Sequence, residues 1–247
     1  MRVSGQPLAV TMRTPGDDMD LMAGFLVTEG VIFRRMDLVG MRYCEGKDSA
    51  GSQTYNIIDA TMRQRYAQSP VNKLPIRALV TSSACGLCGK ASIDAVEVVS
   101  PYDLKNDSVL VEAEWLAALP DRLRQAQTLF DKTGGIHAAA LFDPRADSLL
   151  AVREDVGRHN AVDKVIGWAL RADKLPLTGT VLLVSGRASF EIVQKASMGG
   201  IAVVAAVSAP TSLAVDLARR IGLTLVGFLR GKSMVVYSAD ERVASRG

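Results

Sequence analysis

The chain has 247 residues, 48% of them hydrophobic and 22% charged, with a formal net charge of +3. That balance fits a globular protein with one large core or two smaller ones, and the absence of like-charge runs gives nucleic-acid binding no electrostatic basis. Three cysteines are too few for a disulfide framework, the longest apolar run (Ile201 to Val207) is far shorter than the roughly 20 residues a bilayer requires, and Met1–Pro7 lacks an apolar signal core. The expectation is a cytoplasmic protein with no membrane partner.

Leu8–Met12 reads as a strand. Thr14-Pro15-Gly16-Asp17 reads as a helix start, with Thr14 as N-cap and Pro15 in the first turn, and the helix is expected to stop at Gly30. Met19, Met22, Phe25 and Leu26 supply its apolar spacing. Tyr55–Asp59 reads as a strand, Ser69–Pro75 as a loop, and Ala91–Val99 fits either helix or strand. Ala113–Phe130 reads as two short helices, with Pro120 opening the second.

The pattern then becomes regular. Strands are expected at Ala138–Phe142, Leu149–Val152, Val181–Ser185, Ala202–Val207 and Leu223–Gly227, and helices at Gly157–Ala172, Phe190–Met198 and Thr211–Ile221. Alternation with short joins predicts an α/β sheet with crossover helices. The predicted organisation is a small N-terminal α+β domain (1–80) and a larger α/β domain (81–247), with a cleft at their junction.

Near that junction lies Thr81-Ser-Ser-Ala-Cys85-Gly-Leu-Cys88-Gly-Lys90. Thiols three apart can bind metal, cycle through a disulfide or carry sulfur. The flanking glycines allow a large partner to approach either sulfur, and a helix start here, with Arg77 and Lys90, would favour the thiolate that attacks persulfide or disulfide sulfur. The bland alternative is a pair of small buried side chains. Zinc needs three or four ligands, and only Cys44, His137 and His159 remain, none forming a second close pair, so no metal site is expected.

Five further segments concentrate polar chemistry. Thr133-Gly134-Gly135-Ile136-His137 puts a double glycine before a strand, so a ligand could approach the backbone. Arg153-Glu154-Asp155-Val156-Gly157-Arg158-His159 joins a strand to a helix, with Asp155 as its cap and Glu154, Arg158 and His159 near the strand's carboxyl end. Ser185-Gly186-Arg187-Ala188-Ser189-Phe190-Glu191 repeats the arrangement and resembles an anion-binding turn centred on Arg187 and Ser189, without being a P-loop. Ser208–Ser212, with Thr211 as cap, is a third such turn, and the three are expected to converge at one edge of the sheet. Phe228-Leu229-Arg230-Gly231-Lys232-Ser233 offers a ring to stack on a base and two cations for phosphates; the alternative is a plain exposed hairpin turn.

Together these segments resemble the FdhD family, the formate dehydrogenase accessory sulfurtransferases. The resemblance rests on Thr14-Pro15, Gly24-Phe25-Leu26 and Glu29-Gly30, then Cys85-Gly-Leu-Cys88-Gly, Thr133-Gly-x-x-His137, Glu154-Asp-Val-Gly-Arg-His159, Ser185-x-Arg-Ala-Ser-x-Glu191 and Leu223-Thr-Leu-Val-Gly-Phe228, in the family's order and over nearly the whole chain. It implies a sulfur relay. A cysteine desulfurase would load a persulfide on Cys85, Cys88 would assist, and the sulfur would pass to molybdenum in the bis-molybdopterin guanine dinucleotide (molybdenum cofactor) destined for formate dehydrogenase. Phe228, Leu229, Arg230, Gly231, Lys232 and Ser233 match the family's guanine-nucleotide-type binding stretch. His137, Arg158, His159, Arg187 and Ser189 would complete the cofactor contacts.

The resemblance also implies a cytidine-deaminase-like fold for the larger domain and a homodimer. Deaminase zinc chemistry is not expected: that signature needs a glutamate two residues after its histidine, and Ala139 and Ala161 stand in those places. Family members carry a further strand before the Gly5-Gln6-Pro7 turn, at which this chain begins. A non-catalytic cofactor chaperone and a thiol-redox or zinc protein are the alternative readings.

Overall fold

A computed structural model describes residues 1–46, 51–63, 98–231 and 233–244. Its larger sheet runs in the order β11-β10-β9-β8-β6-β7, built from β6 (His137–Asp143), β7 (Ser148–Asp155), β8 (Val181–Val184), β9 (Val203–Ala206), β10 (Thr224–Arg230) and β11 (Ser233–Ser238). β8, β9 and β10 are mutually parallel, whereas β6 is antiparallel to both of its neighbours. β7 therefore points the same way as β8 through β10, and four strands end at one edge of the sheet. Val181-Leu-Leu-Val184 and Val203-Val-Ala-Ala206 are buried throughout, as expected of parallel strands covered on both faces. This is the mixed α/β class that the sequence predicts.

The elements between these strands follow from their side chains. α4 (Arg158–Arg171) fills the crossover after β7, α5 (Phe190–Met198) the one after β8, and α6 (Ser212–Ile221) the one after β9. Thr211 caps α6, its hydroxyl accepting the Ala214 amide at 3.2 Å. In α6 only Ala214, Leu217 and Ala218 are buried, so one stripe faces the core and the rest is solvated. α4 is buried nearly all round because α1 (Asp18–Thr28) lies across its other side. Gly24 and Gly167 form that contact, each meeting backbone of the facing helix.

Four short strands make a second sheet in the order β2-β1-β4-β3: β1 (Arg2–Val3), β2 (Gln6–Pro7), β3 (Leu38–Cys44) and β4 (Ile57–Met62). Its buried residues Val3, Leu38, Ile58, Ala60 and Met62 join the same hydrophobic cluster as the strands of the larger sheet. A two-stranded pair, β5 (Val111–Glu112) with β12 (Val243–Ala244), completes the sheets. The expected domain division between residues 80 and 81 falls outside the described residues, as do the Ser69–Pro75 loop, most of Ala91–Val99, Lys90 and Arg77.

Several expectations are corrected. Leu8–Met12 does not form a strand; the pairing residues are Arg2–Val3 and Gln6–Pro7, around the Gly5 turn. α1 begins at Asp18 rather than beside Thr14. Thr14 is used elsewhere: its hydroxyl accepts the Val156 amide at 2.9 Å and its own amide donates to Asp155 at 3.1 Å. Ala113–Ala126 is one helix, α2, with Pro120 inside it, because Leu116, Leu119 and Leu123 on both sides of the proline bury a continuous stripe. A four-residue helix, α3 (Phe130–Thr133), follows. β4 begins two residues later than Tyr55, which instead takes a left-handed backbone with φ of 53°.

Candidate functional site

The carboxyl ends of β7, β8, β9 and β10 gather the polar segments picked out in the sequence. β6 runs the other way, so its first residue, His137, arrives at the same edge, opposite Asp155 in register. The β8 turn locks onto it: the Ser185 hydroxyl accepts the Ala138 amide at 2.9 Å and the Ser185 amide donates to the Ala138 carbonyl at 2.9 Å. Ala188 pairs with Pro210, and the Thr211 amide donates to the Ala188 carbonyl at 2.9 Å, which ties the β8 and β9 turns together. The Phe228 amide donates to the Ser208 carbonyl at 3.2 Å, which adds the end of β10. The expected convergence of three strand-to-helix turns is found, and the β10–β11 hairpin joins them.

The side chains at this edge are mostly cationic or titratable. Arg158 and His159 open α4 and are half-buried, Arg187 is exposed, and Ser189 sits at the N-cap of α5. His159 Nε2 lies 2.8 Å from a Glu191 carboxylate oxygen and 3.1 Å from the Ser189 hydroxyl. A carboxylate oxygen only accepts, so the 2.8 Å contact requires the proton on Nε2. The hydrogen bond from His159 holds the Glu191 carboxyl below its ordinary range, against the opposing effect of burial. Burial lowers the proton affinity of His137, and Arg158, His159 and Arg187 lower it further. The edge therefore presents one imidazole of lowered proton affinity, one imidazole paired with a carboxylate, and two guanidinium groups.

The Phe228–Ser233 stretch is the end of a hairpin. Phe228 is 42% exposed and held at φ of 52°, in an irregular stretch of the β10–β11 pairing between Gly227 and Arg230. Leu229 points into the core and is fully buried, Arg230 folds back so that Nε donates to the Val207 carbonyl at 3.1 Å, and Gly231 turns with φ of 54°. Arg230 pairs with Ser233, which is exposed. Cys85, Cys88 and Lys232 lie outside the described residues. Among the described residues no three His, Cys, Asp or Glu side chains cluster to hold a metal. Cys44 is a free thiol at the end of β3.

Two residues of the Glu154-Asp155 pair are structural. The Glu154 carboxylate accepts the Leu129 and Phe130 amides at 2.8 and 2.9 Å, capping α3. Asp155 does not cap α4, whose N-cap is Gly157; it accepts from Gly157 and Asn160 and pairs with Lys164 at 2.8 Å, both partners being essentially buried. Lys164 also donates to the Thr14 carbonyl at 3.0 Å. Asp155 and Lys164 thus pin the Thr14-Pro15 segment beneath the edge. A second buried pair, Lys195 with Asp163 at 2.9 Å, sits under α1, with Thr28 as a shared partner. Lys164, Lys195 and Asp163 are helix residues with no local mark of this role; only the separate legs of the chain meeting at them reveal it. A cavity of about 730 Å³ between the small sheet and Leu8–Arg13, bordered by Tyr43 and Tyr55, contains none of the expected ligand residues.

A mixed sheet whose parallel strands end in a cationic, glycine-bearing edge defines an α/β protein with its polar groups gathered at the carboxyl ends of the strands, where sheets of this kind place ligands. The sequence model of the FdhD/NarQ family matches residues 1–244. A sulfur carrier protein FdhD from Streptomyces avermitilis is 56% identical over 247 residues, covering 100% of this chain and 86% of that protein. The sulfur carrier protein FdhD of Mycobacterium tuberculosis is 53% identical, covering 98% of this chain and 88% of its own length. That of Saccharolobus solfataricus is 42% identical, covering 96% and 84%. The chain belongs to the FdhD/NarQ family. Its fold also matches the crystal structure of a protein described as a formate dehydrogenase accessory protein from Desulfotalea psychrophila, with a TM-score of 0.71 at 23% identity, covering 98% of this chain and 86% of that one.

Proposed function

We propose that the protein is a sulfur carrier in formate dehydrogenase maturation, acting as a sulfurtransferase through a cysteine persulfide. The Cys85 thiolate attacks the terminal sulfur of a cysteine desulfurase persulfide; the desulfurase sulfur–sulfur bond breaks and its thiolate leaves. Cys85 then holds the sulfane sulfur and passes it to the molybdenum of bis-molybdopterin guanine dinucleotide, the cargo substrate. Cys88 assists by attacking the outer sulfur, which moves the persulfide to Cys88 and frees the Cys85 thiolate, or by attacking Cys85 Sγ, which forms the Cys85–Cys88 disulfide and releases the outer sulfur as hydrosulfide. The protein works in the cytoplasm as a homodimer, and formate dehydrogenase is the final recipient.

The observation that carries the reading is the gathering of His137, Arg158, His159, Arg187, Ser189 and Phe228 at one sheet edge in a chain whose named relatives are sulfur carriers. Guanidinium groups and helix N-termini suit a diphosphate, and the exposed Phe228 ring suits a base. The test is to load the protein with a cysteine desulfurase and cysteine and map persulfide by mass spectrometry. Persulfide on Cys85 is expected. Equal loading of Cys85→Ala and the unmodified protein would remove Cys85 from the relay; intact formate dehydrogenase maturation by Cys85→Ala would favour a non-catalytic chaperone.

A further inference from the structure

We propose that His137 takes up a proton when a diphosphate binds this edge, so that ligand binding and protonation of one imidazole are a single linked event. The inference rests on the nucleotide-binding role given above to the same edge. It begins from placement. β6 delivers His137 to the edge from below, half-buried, between the first turn of α4 and the β8–α5 turn. Gly186 lies over the ring so closely that a Cβ there would be 3.2 Å from Nδ1. Among the described residues no hydrogen bond reaches either ring nitrogen of His137, whereas His159 is already bound to Glu191 and Ser189.

The charged groups around His137 decide its state. Arg158 and His159 face it from α4 and Arg187 from the β8–α5 turn; among the described residues Asp155, at the end of β7, opposes them. Burial and these cations together disfavour the imidazolium in the free protein. A diphosphate held by Arg158 and Arg187 places two or more negative charges among the groups that repel the proton. An opposite charge within about 4–6 Å favours the charged form of a titrating group. Imidazole then accepts one proton from solvent and becomes a second-nitrogen donor to the phosphate oxygens; no other bond changes. His159 differs in geometry, since its Nε2 is already engaged by the Glu191 carboxylate at 2.8 Å.

The consequence is selectivity by charge. A dianionic phosphate gains a donor that a neutral or monoanionic ligand does not elicit, because only the former repays the cost of charging a half-buried ring. The test uses guanosine diphosphate as probe and the full chain at pH 7.5, where the probe's own phosphate is ionised. Calorimetric titration in buffers of different ionisation enthalpy is expected to show proton uptake on binding, up to one proton per chain. His137→Asn is expected to bind the probe more weakly and to lose the uptake. Should that variant not fold, the ring Cε1–H resonances of the unmodified protein decide, since it has only two histidines and His159→Asn assigns them: the His137 signal is expected to move toward its imidazolium position on adding the probe. Binding with no proton uptake, or uptake that persists in His137→Asn, would overturn the inference while leaving the nucleotide edge intact. No binding of the probe by the unmodified protein would overturn both.

Discussion

Gly24 and Gly167 let α1 and α4 approach until backbone meets backbone. A Cβ on Gly24 would stand 1.7 Å from the Asp163 carbonyl oxygen, and one on Gly167 would stand 1.8 Å from that of Asp20. Neither helix has room to yield, since Leu21, Met22, Leu26, Val165 and Ile166 around the contact are fully or almost fully buried. Gly24→Ala and Gly167→Ala are each expected to destabilise by about 3 kcal/mol or more, the upper end of overpacking costs. Thermal unfolding checks this, at about 2–4 °C per kcal/mol for a chain of this size. A melting temperature equal to that of the unmodified protein would show that the helices separate freely.

Asp155 and Lys164 are expected to behave as one unit. Their 2.8 Å pair is 0% and 1% exposed, and it also holds Thr14. Removing one partner leaves a buried charge, which costs about 3–5 kcal/mol. Lys164→Met alone should therefore fall in that range, while Asp155→Leu with Lys164→Met should cost clearly less than the two single changes added. Additive losses in denaturant titrations would refute the coupling.

Glu191 gives a pH dependence with a definite sign. Its folded carboxyl sits below the ordinary value of 4.5 because His159 donates to it. The unfolded carboxylate therefore binds a proton first as pH falls, so the contribution of Glu191 is present above that value and lost as pH drops through the lower, folded one. The melting-temperature gap between the unmodified protein and Glu191→Gln is expected to be small, since the carboxylate is 47% exposed, and to close below pH 4.5. A gap that widens in acid would contradict the pairing.

Phe228 is expected to trade stability for binding. An aromatic residue at φ of 52° holds a backbone conformation that glycine adopts without strain. Phe228→Gly should leave the melting temperature unchanged or raise it, while weakening guanosine diphosphate binding by roughly tenfold, in line with about 1–3 kcal/mol per stacked base. Unchanged affinity would remove the ring from the nucleotide contact.

The strand-to-helix turns were legible because each is marked locally: glycines, small capping residues and a cation between an apolar run and a helical period. Thr211 as cap of α6, and Phe190–Met198 as a helix, follow from such marks. Where a residue's local signal competed with a distant partner, the partner prevailed. Thr14 and Asp155 both look like helix caps in sequence, yet they bond to each other, 141 residues apart. Pro120 looks like a helix break, yet the stripe of Leu116, Leu119 and Leu123 carries the helix through it.

The sequence by itself determined the mixed α/β class, the family and the placing of His137, Arg158, His159, Arg187 and Ser189 beside strand ends, though not the burial of Leu229, because periodicity, capping chemistry and motif order are properties of neighbours along the chain. Only the tertiary structure decided which of those residues differ in state. Antiparallel β6 brings His137 among Arg158, His159 and Arg187, while Glu191 takes His159 for itself. Two histidines equivalent in sequence thereby become one ring whose proton affinity is lowered by burial and neighbouring cations and one ring bound to a carboxylate, since both are set by the groups around them in space.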